Sequence, residues 1–174
     1  KADVVKFIIS ELEAAIPNLP SKDALPASEN GRITKGAALA LEARVLLYQG
    51  DRMADVVAIC EKLMNDQSTN GTYTLNSSYA DLFSDKLVNK TNNEVMLSLQ
   101  YVPVTYTWSD FFDFAPLSVG GRVISNSPTQ ELVDDYIMAN GKGINDAGSG
   151  FDINKPYVNR DPRLGATIAY DGYF

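Results

Sequence analysis

Aromatic residues are concentrated between residues 101 and 114, and this segment is the strongest candidate for a binding site. The aromatics are Tyr101, Tyr106, Trp108, Phe111, Phe112 and Phe114. An exposed flat ring can cover the apolar C–H face of a sugar, while polar neighbours hold the sugar hydroxyls. Trp108 and Tyr106 are flanked by polar residues and suit the stacking role. Asp110 and Asp113 are available for hydrogen bonds. We therefore predict a ligand site formed by these two rings and two carboxylates.

The same rings could instead fill a hydrophobic core beneath a long loop, which is the position of most buried aromatics. For Phe111, Phe112 and Phe114 we favour this core interpretation. For Trp108 and Tyr106 the sequence leaves both possibilities equally open, because polar residues flank each ring.

The counts of histidine and cysteine exclude several classes of chemistry. The chain has no histidine, which removes Ser-His-Asp and Cys-His catalysis and every zinc site that uses histidine. Its one cysteine, Cys60, allows no internal disulfide and no cluster of thiolate ligands. Cys60 shares a predicted helix face with Val56, Val57 and Leu63, so we expect a small core residue and not a reactive thiol.

Acidic residues are frequent, but their arrangement does not indicate catalysis. With 22 acidic residues, some pair suited to glycoside hydrolysis is expected by chance. Asp134 and Asp135 are adjacent, yet nothing predicts the burial that would raise the pKa of one of them. Residues 146–152 lack the residue order of a calcium-binding loop and its distal glutamate, so we expect a solvated loop. We predict no catalytic residue, no metal site and no cofactor.

Length and charge narrow the class of protein further. A chain of 174 residues is long enough for one domain with a substantial core. A net charge of −7 without a basic stripe argues against a nucleic-acid partner. No apolar run approaches the ~20 residues of a membrane helix, and no secretory signal is visible. The chain begins at Lys1 and stops at Phe174 without an obvious closing element, so we expect part of a longer protein.

The elements that must position these residues begin with two helices over residues 35–64, joined by a tight turn at Gly50–Asp51. In the first helix, Lys35, Glu42 and Gln49 form one narrow polar stripe, and nearly every other position is apolar. Such a helix must be covered on several sides, so we expect it to be central to the fold.

The flanking signals complete this helical part. Apolar residues at helical spacing predict a helix over residues 2–16, which Pro17 ends. Thr34 and Asp51 are the expected N-caps of the two central helices. Three helices connected in this way are typical of an α-hairpin repeat array.

Helical signals weaken after residue 66. An apolar run predicts a strand over residues 94–101, with Leu97 and Leu99 on its apolar face. Ser127 followed by Pro128 predicts the start of a helix over residues 128–139. Residues 166–170 are also typical of a strand. The remaining segments are predicted to be loops.

Five blocks of sequence occur in an order that resembles the SusD/RagB family of outer-membrane nutrient-binding lipoproteins. The blocks are KGAALALEARVLLYQGD, YTLNSSYADLF, NNEVMLSLQY, SPTQELVDDYIMANG and YVNRDPRLGATIAYDG. They span about residues 30–172, and the NRDPRL motif at Asn159–Leu164 is the most specific of them.

The resemblance implies a mainly α fold of tetratricopeptide-like helix-turn-helix pairs, with long ordered loops and a few short strands. It implies one SusD-like domain, present in part, over residues 1–174. Residues 1–66 would be the helical-repeat part and residues 67–174 the loop-rich ligand side. The NRDPRL motif would serve architecture, with Arg160 and Arg163 binding carboxylate or carbonyl oxygens.

The resemblance also implies a function. Such proteins bind oligosaccharides or other nutrients at the cell surface and deliver them to a TonB-dependent, SusC-like transporter, without hydrolysing them. A lipidated N-terminal cysteine anchors them to the outer membrane, and that cysteine is absent here because Cys60 lies inside a predicted helix. The alternative is a helical-repeat scaffold that binds a protein partner along residues 2–16 and 35–64 and binds no sugar.

Overall fold

The computed structural model describes residues 1–83, 92–102, 104–107, 113, 115, 117–122, 127–170 and 172. The chain divides into two compact units. The helical unit comprises Lys1–Ser77 and Ser84–Gln100, and the loop-rich unit comprises Ser78–Phe83 and Tyr101–Phe174.

The structure is mainly helical, as predicted. The α-helices of the helical unit are α1 (Ala2–Ala15), α2 (Lys35–Gln49), α3 (Met53–Asn65) and α4 (Gln67–Asn70). Among the described residues of the loop-rich unit, the α-helices with defined bounds are α5 (Gln130–Asp135) and α6 (Pro162–Thr167). Short 3-10 turns occur at Ile16–Asn18, Lys22–Ala24, Ala27–Glu29, Ala80–Phe83 and Leu117–Val119. Within the described residues, β pairing is limited to two isolated bridges, Val102 with Tyr106 and Met138 with Arg160.

Helix α2 is the centre of the helical unit, in agreement with its nearly all-round apolar surface. Ala38 and Leu39 on α2 form a buried cluster with Ile16 and Leu63, which come from the segments packed on either side. The hydroxyl of Thr34 accepts a hydrogen bond from the N–H of Ala37 at 3.3 Å, so the predicted N-cap is confirmed. Helix α2 ends where predicted, because Gly50 adopts a left-handed conformation with φ of 76°.

Two predictions for α3 are wrong. Arg52 takes the N-cap position in place of Asp51, and it makes no side-chain capping bond. Cys60 is exposed and is not a core residue. The physical reason is that α3 packs on α2 through a single stripe containing Ile59 and Leu63, which leaves its opposite apolar side chains in the described structure open to solvent.

Residues 94–101 do not form the predicted strand. Lys22 holds the backbone at the start of this segment, because its Nζ donates to the carbonyl oxygens of Asn92 and Val95 at 3.1 and 3.3 Å. Met96 packs against the α2 cluster, while Leu97 and Leu99 are exposed. The apolar face predicted for Leu97 and Leu99 is therefore exposed, and no neighbouring strand in the described structure pairs with this segment.

Helix α5 is shorter than the predicted helix over residues 128–139. Its N-cap is Thr129, which accepts from the N–H of Leu132 at 3.3 Å, so the expected cap at Ser127 is wrong. The helix ends at Asp135 because the next residues are extended and bond to a distant segment. Ala139 donates to Asn159 O and Asp161 donates to Ile137 O, each at 2.8 Å. These backbone bonds compete successfully with continuation of the helix.

Helix α6 replaces part of the strand expected at residues 166–170. Pro162 occupies its first turn, and Asp161 is extended and caps it. The hydrophobic cluster of this unit consists of Val133, Leu164 and Ile168, with tyrosines packed around it. Two of these tyrosines, Tyr157 and Tyr170, stack with their ring centroids 4.0 Å apart.

The glycine-rich loop between Met138 and Arg160 is ordered by its own polar groups. Lys142 Nζ donates to Ala147 O at 2.7 Å. Gly143 N donates to Asp146 Oδ2 at 2.8 Å, and the Ser149 hydroxyl donates to Ile144 O at 3.1 Å. The loop is thus folded on itself, and Ser149 is buried within it.

Candidate functional site

Tyr101 and Tyr106 form an aromatic pair across a tight turn. The backbone N–H of Val102 donates to Tyr106 O at 2.8 Å, and that of Tyr106 donates to Val102 O at 2.9 Å. Val104 between them has φ of 71°, a left-handed conformation that β-branched residues rarely adopt. The turn brings the two rings together with centroids 5.3 Å apart and planes inclined by 12°. We call residues 101–106 the tyrosine hairpin.

The tyrosine hairpin presents its rings to solvent. Tyr106 is 56% exposed, and Tyr101 is also exposed. In a parallel stack each ring covers one face of the other, and the exposed fraction of Tyr106 leaves ring surface available to a ligand. A pair held by backbone hydrogen bonds is also rigid, which lowers the entropy lost when a ligand binds.

The four predicted site residues are described to different extents. Tyr106 and Asp113 are both exposed, and within the described structure no hydrogen bond joins them. Trp108 and Asp110 lie outside the described residues, as do Phe111, Phe112 and Phe114. The contact of any of these residues with a ligand stays a prediction. The ring that sequence reasoning did not assign to the site is Tyr101, because its stacking on Tyr106 depends on the turn between them.

Arg160 is a buried clamp in the NRDPRL motif. Its guanidinium donates to three backbone carbonyl oxygens: Pro156 O at 2.8 Å, Val133 O at 2.6 Å and Tyr136 O at 2.6 Å. The guanidinium also lies 5.6 Å from the centroid of the Phe151 ring. These bonds join α5 to the end of the glycine-rich loop. Arg160 therefore serves architecture, as the resemblance implied.

Arg163 forms a two-point ion pair with Asp161. Its Nε lies 3.0 Å from Oδ1 and its Nη2 lies 2.6 Å from Oδ2. The backbone N–H of Arg163 also donates to Oδ1 at 2.9 Å. The hydrogen bond from the Arg163 side chain, with the smaller contribution of its backbone N–H, lowers the pKa of Asp161 to about 2. Asp161 is thus a fixed carboxylate at neutral pH.

Neither unit offers a metal centre within its described residues. No group of three or more histidine, cysteine, aspartate and glutamate side chains there could hold a metal ion. In the same part of the chain, no helix is both long and apolar enough to cross a lipid bilayer.

The model of the SusD family matches residues 65–174 of the sequence. The chain belongs to the SusD family. The match begins at the last residue of α3 and includes the tyrosine hairpin, α5 and the NRDPRL motif. The family prediction made from the five sequence blocks is therefore confirmed.

Two solved structures are similar to this SusD-family chain. One is a SusD-like carbohydrate-binding protein from Bacteroides fragilis, with a TM-score of 0.80 and 30% identity, covering 99% of this chain and 32% of that one. The other is a SusD-like protein from the same species, with a TM-score of 0.65 and 30% identity, covering 95% of this chain and 34% of that one. The chain thus spans about a third of their length. No curated protein matches the sequence.

Proposed function

We propose that this SusD-family protein captures oligosaccharides at the cell surface and delivers them to a TonB-dependent, SusC-like outer-membrane transporter. The observation that carries the proposal is the exposed, stacked tyrosine pair of the hairpin, in which Tyr106 is 56% exposed. The similar structure from Bacteroides fragilis is described as carbohydrate binding, which supports the same class of ligand here.

The tyrosine hairpin suits a sugar because it combines an apolar face with polar edges. The outer face of Tyr106 can pack on the C–H groups of a pyranose ring, and its hydroxyl can exchange hydrogen bonds with the sugar. Trp108, Asp110 and Asp113 follow closely in the sequence and complete the proposed site. In this proposal they extend the stacking surface and accept hydrogen bonds from hydroxyl groups.

The protein binds its ligand and does not hydrolyse it. Glycoside hydrolysis requires one protonated and one ionised carboxyl group placed across the scissile bond. Arg163 lowers the pKa of Asp161, which is the wrong direction for a general acid. A lipid anchor outside this chain would hold the protein at the outer membrane, and the transporter would receive the sugar.

Replacement of Tyr106 by alanine tests the proposal. We expect the unmodified protein to bind at least one neutral oligosaccharide of a panel without releasing reducing sugar. We expect Tyr106→Ala to weaken that binding by about two- to twelvefold, because an aromatic stacking contact contributes roughly 0.5–1.5 kcal/mol. Isothermal titration calorimetry measures the affinity.

Tyr48→Ala is the matched control, because Tyr48 is an exposed tyrosine on α2 in the helical unit. It should leave the affinity unchanged. Lack of binding to the whole panel, equal affinities of Tyr106→Ala and the unmodified protein, or release of reducing sugar would each refute the proposal in this form.

A protein-binding scaffold is the second candidate function, and one observation favours it. Large apolar side chains are exposed on all three long helices of the helical unit, among them Phe7, Tyr48 and Val57. Such surfaces are typical of docking sites. Co-purification of the transporter with the unmodified protein and with Phe7→Glu would separate the two functions. If the protein is only a scaffold, Phe7→Glu loses the transporter, and the unmodified protein binds no glycan.

A further inference from the structure

A second cleft lies in the loop-rich unit, beside the Asp161–Arg163 pair. It has a volume of about 320 Å³, near the lower end of the range for small-molecule sites, so it has room for a single sugar ring. Its lining includes Tyr79, Leu132, Tyr136, Ile137, Asp161 and Arg163. The cleft therefore combines aromatic, aliphatic and charged groups.

The polar side of the cleft is a guanidinium, some of whose donors have no acceptor among the described residues. The side chain of Arg163 is 57% exposed, whereas that of Asp161 is 12% exposed. An arginine side chain carries five N–H donors, and the two bonds to Asp161 leave three for a ligand. Because Asp161 fixes its orientation, Arg163 presents these donors as a rigid fork. Such a fork matches the oxygens of two adjacent hydroxyl groups.

The apolar side of the cleft is open and held in place. Leu132 is 45% exposed and Ile137 is 39% exposed. The ring of Tyr79 packs against Phe83 with centroids 5.2 Å apart, and its hydroxyl lies 3.4 Å from Thr167 Oγ1. These groups provide a fixed surface for the C–H face of a sugar ring.

The charge of the cleft selects the ligand. Asp135 and Asp161 contribute two negative charges to the lining, and Arg163 contributes one positive charge, most of which Asp161 already offsets. A carboxylate or sulfate ligand would be repelled, whereas a hydroxyl group can donate to Asp135 and accept from Arg163.

We propose that this cleft is a second carbohydrate subsite, which binds one neutral pyranose unit through two adjacent hydroxyl groups. The subsite is separate from the tyrosine hairpin and does not require it. It gives a role to the exposed Arg163, in addition to the architectural role that the NRDPRL motif has through Arg160.

Methyl NMR of the full chain, with labelled isoleucine and leucine, tests the subsite directly. The probes are maltotetraose, xylotetraose and mannotetraose, with tetragalacturonic acid as the acidic comparison. We expect at least one neutral probe to shift the methyl signals of Leu132 and Ile137 saturably, and the acidic probe to bind more weakly. No such shift with any neutral probe, or a preference for the acidic probe, would overturn the proposal.

Two variants extend the test. Arg163→Gln should weaken the binding that these methyl groups report by at least about fivefold, because it removes charged hydrogen-bond donors. Arg52→Gln, which removes a 43% exposed arginine paired with Asp55 on α3, should leave it unchanged. Equal weakening by both variants would overturn the assignment of Arg163.

The proposal for the tyrosine hairpin and the proposal for the subsite can be refuted independently. In Tyr106→Ala the shifts of Leu132 and Ile137 should persist, even where the overall affinity falls. If they vanish, there is one site and not two. If Tyr106→Ala has no effect on affinity while the shifts remain, the cleft is supported and the hairpin is refuted.

Discussion

Glu42 lies on the predicted polar stripe of α2, yet it is only 6% exposed. Burial raises the pKa of its carboxyl group above the usual value, and the neighbouring charge of Glu13 adds to the effect. Arg52 and Lys62 act in the opposite direction with smaller contributions. The ionised carboxylate is therefore disfavoured in the folded state relative to the unfolded one.

The burial of Glu42 predicts a pH-dependent loss of stability. Because folded Glu42 holds its proton more tightly than the unfolded chain does, its contribution to the unfolding free energy falls as the pH rises through the ordinary glutamate range of about 4 to 5 and on to the folded pKa. We expect Glu42→Gln to stabilise the protein at pH 7 and to have little effect at pH 4. A gain of about 1 kcal/mol would raise the Tm by roughly 2–4 °C.

Thermal unfolding of both proteins at the two pH values measures this difference. Glu11→Gln is the control, because Glu11 is exposed on α1 and should change little at either pH. A lower Tm of Glu42→Gln at pH 7 would show that attraction to Arg52 and Lys62 outweighs the burial cost.

Individual residues were predictable where their role depends on local geometry. Thr34 caps α2 and Gly50 ends it through bonds that span only a few residues, so neighbouring sequence was sufficient. Cys60 and Glu42 were not predictable, because their exposure depends on which side of a helix meets a neighbour. An apolar stripe shows that a face is suited to packing, but it does not identify the element that covers it.

At the scale of elements, Arg160 determines how α5 and the glycine-rich loop are joined. We expect Arg160→Gln to destabilise the protein by about 3 kcal/mol or more, because three carbonyl groups lose charged donors in a buried position. Chemical denaturation measures the loss. The matched control is Arg163→Gln, which removes a solvent-exposed guanidinium bonded to one carboxylate and should cost less than Arg160→Gln does.

Equal losses for the two arginine variants would contradict the assignment of Arg160 as the clamp. A large loss of unfolding free energy in Arg163→Gln alone would instead assign the structural role to the Asp161–Arg163 pair. The two residues lie three positions apart in one motif, so the comparison shows whether the loss of stability depends on burial of the arginine or on membership of the motif.

Helices were predictable where the apolar pattern is long. Predictions were wrong where distant segments compete for the backbone hydrogen bonds. Helices α1, α2 and α3 each extend over at least 13 residues, and their periodic patterns were sufficient. The predicted helix over residues 128–139 ended early because residues 137–139 bond to residues 159–161. The run at 94–101 has strand composition, but a strand also needs a partner, which local sequence cannot supply.

The whole molecule carries a net charge of −7, and this has a consequence for binding. A neutral oligosaccharide displaces no counterions, so its affinity should depend little on salt. We expect the dissociation constant to change by less than about twofold between roughly 0.05 and 0.5 M NaCl. Calorimetry at the two concentrations measures the change.

Tetragalacturonic acid provides the contrast, since repulsion between like charges is screened by salt and its weak binding should strengthen. A steep loss of affinity for the neutral probe at high salt would show that ion pairs, and not ring stacking, hold the ligand.

Membership of the SusD family was predictable because five blocks of sequence occur in a defined order over most of the chain. The residues that form the proposed ligand surfaces were harder to predict from the sequence. The stacking of Tyr101 on Tyr106 depends on one turn, and the cleft at Arg163 brings together residues as far apart as Tyr79 and Arg163. Contacts over such separations follow from the fold and leave no local pattern.

The glycine-rich loop between Met138 and Arg160 has the composition of a flexible linker, but it is folded on itself by Lys142, Asp146 and Ser149. Its conformational entropy is therefore lost when the chain folds, and not when a ligand arrives. Arg160 joins this ordered loop to α5, which contributes Leu132 to the second cleft. A ligand that enters the cleft meets walls that are already in place, so little of its interaction energy is spent on ordering the protein.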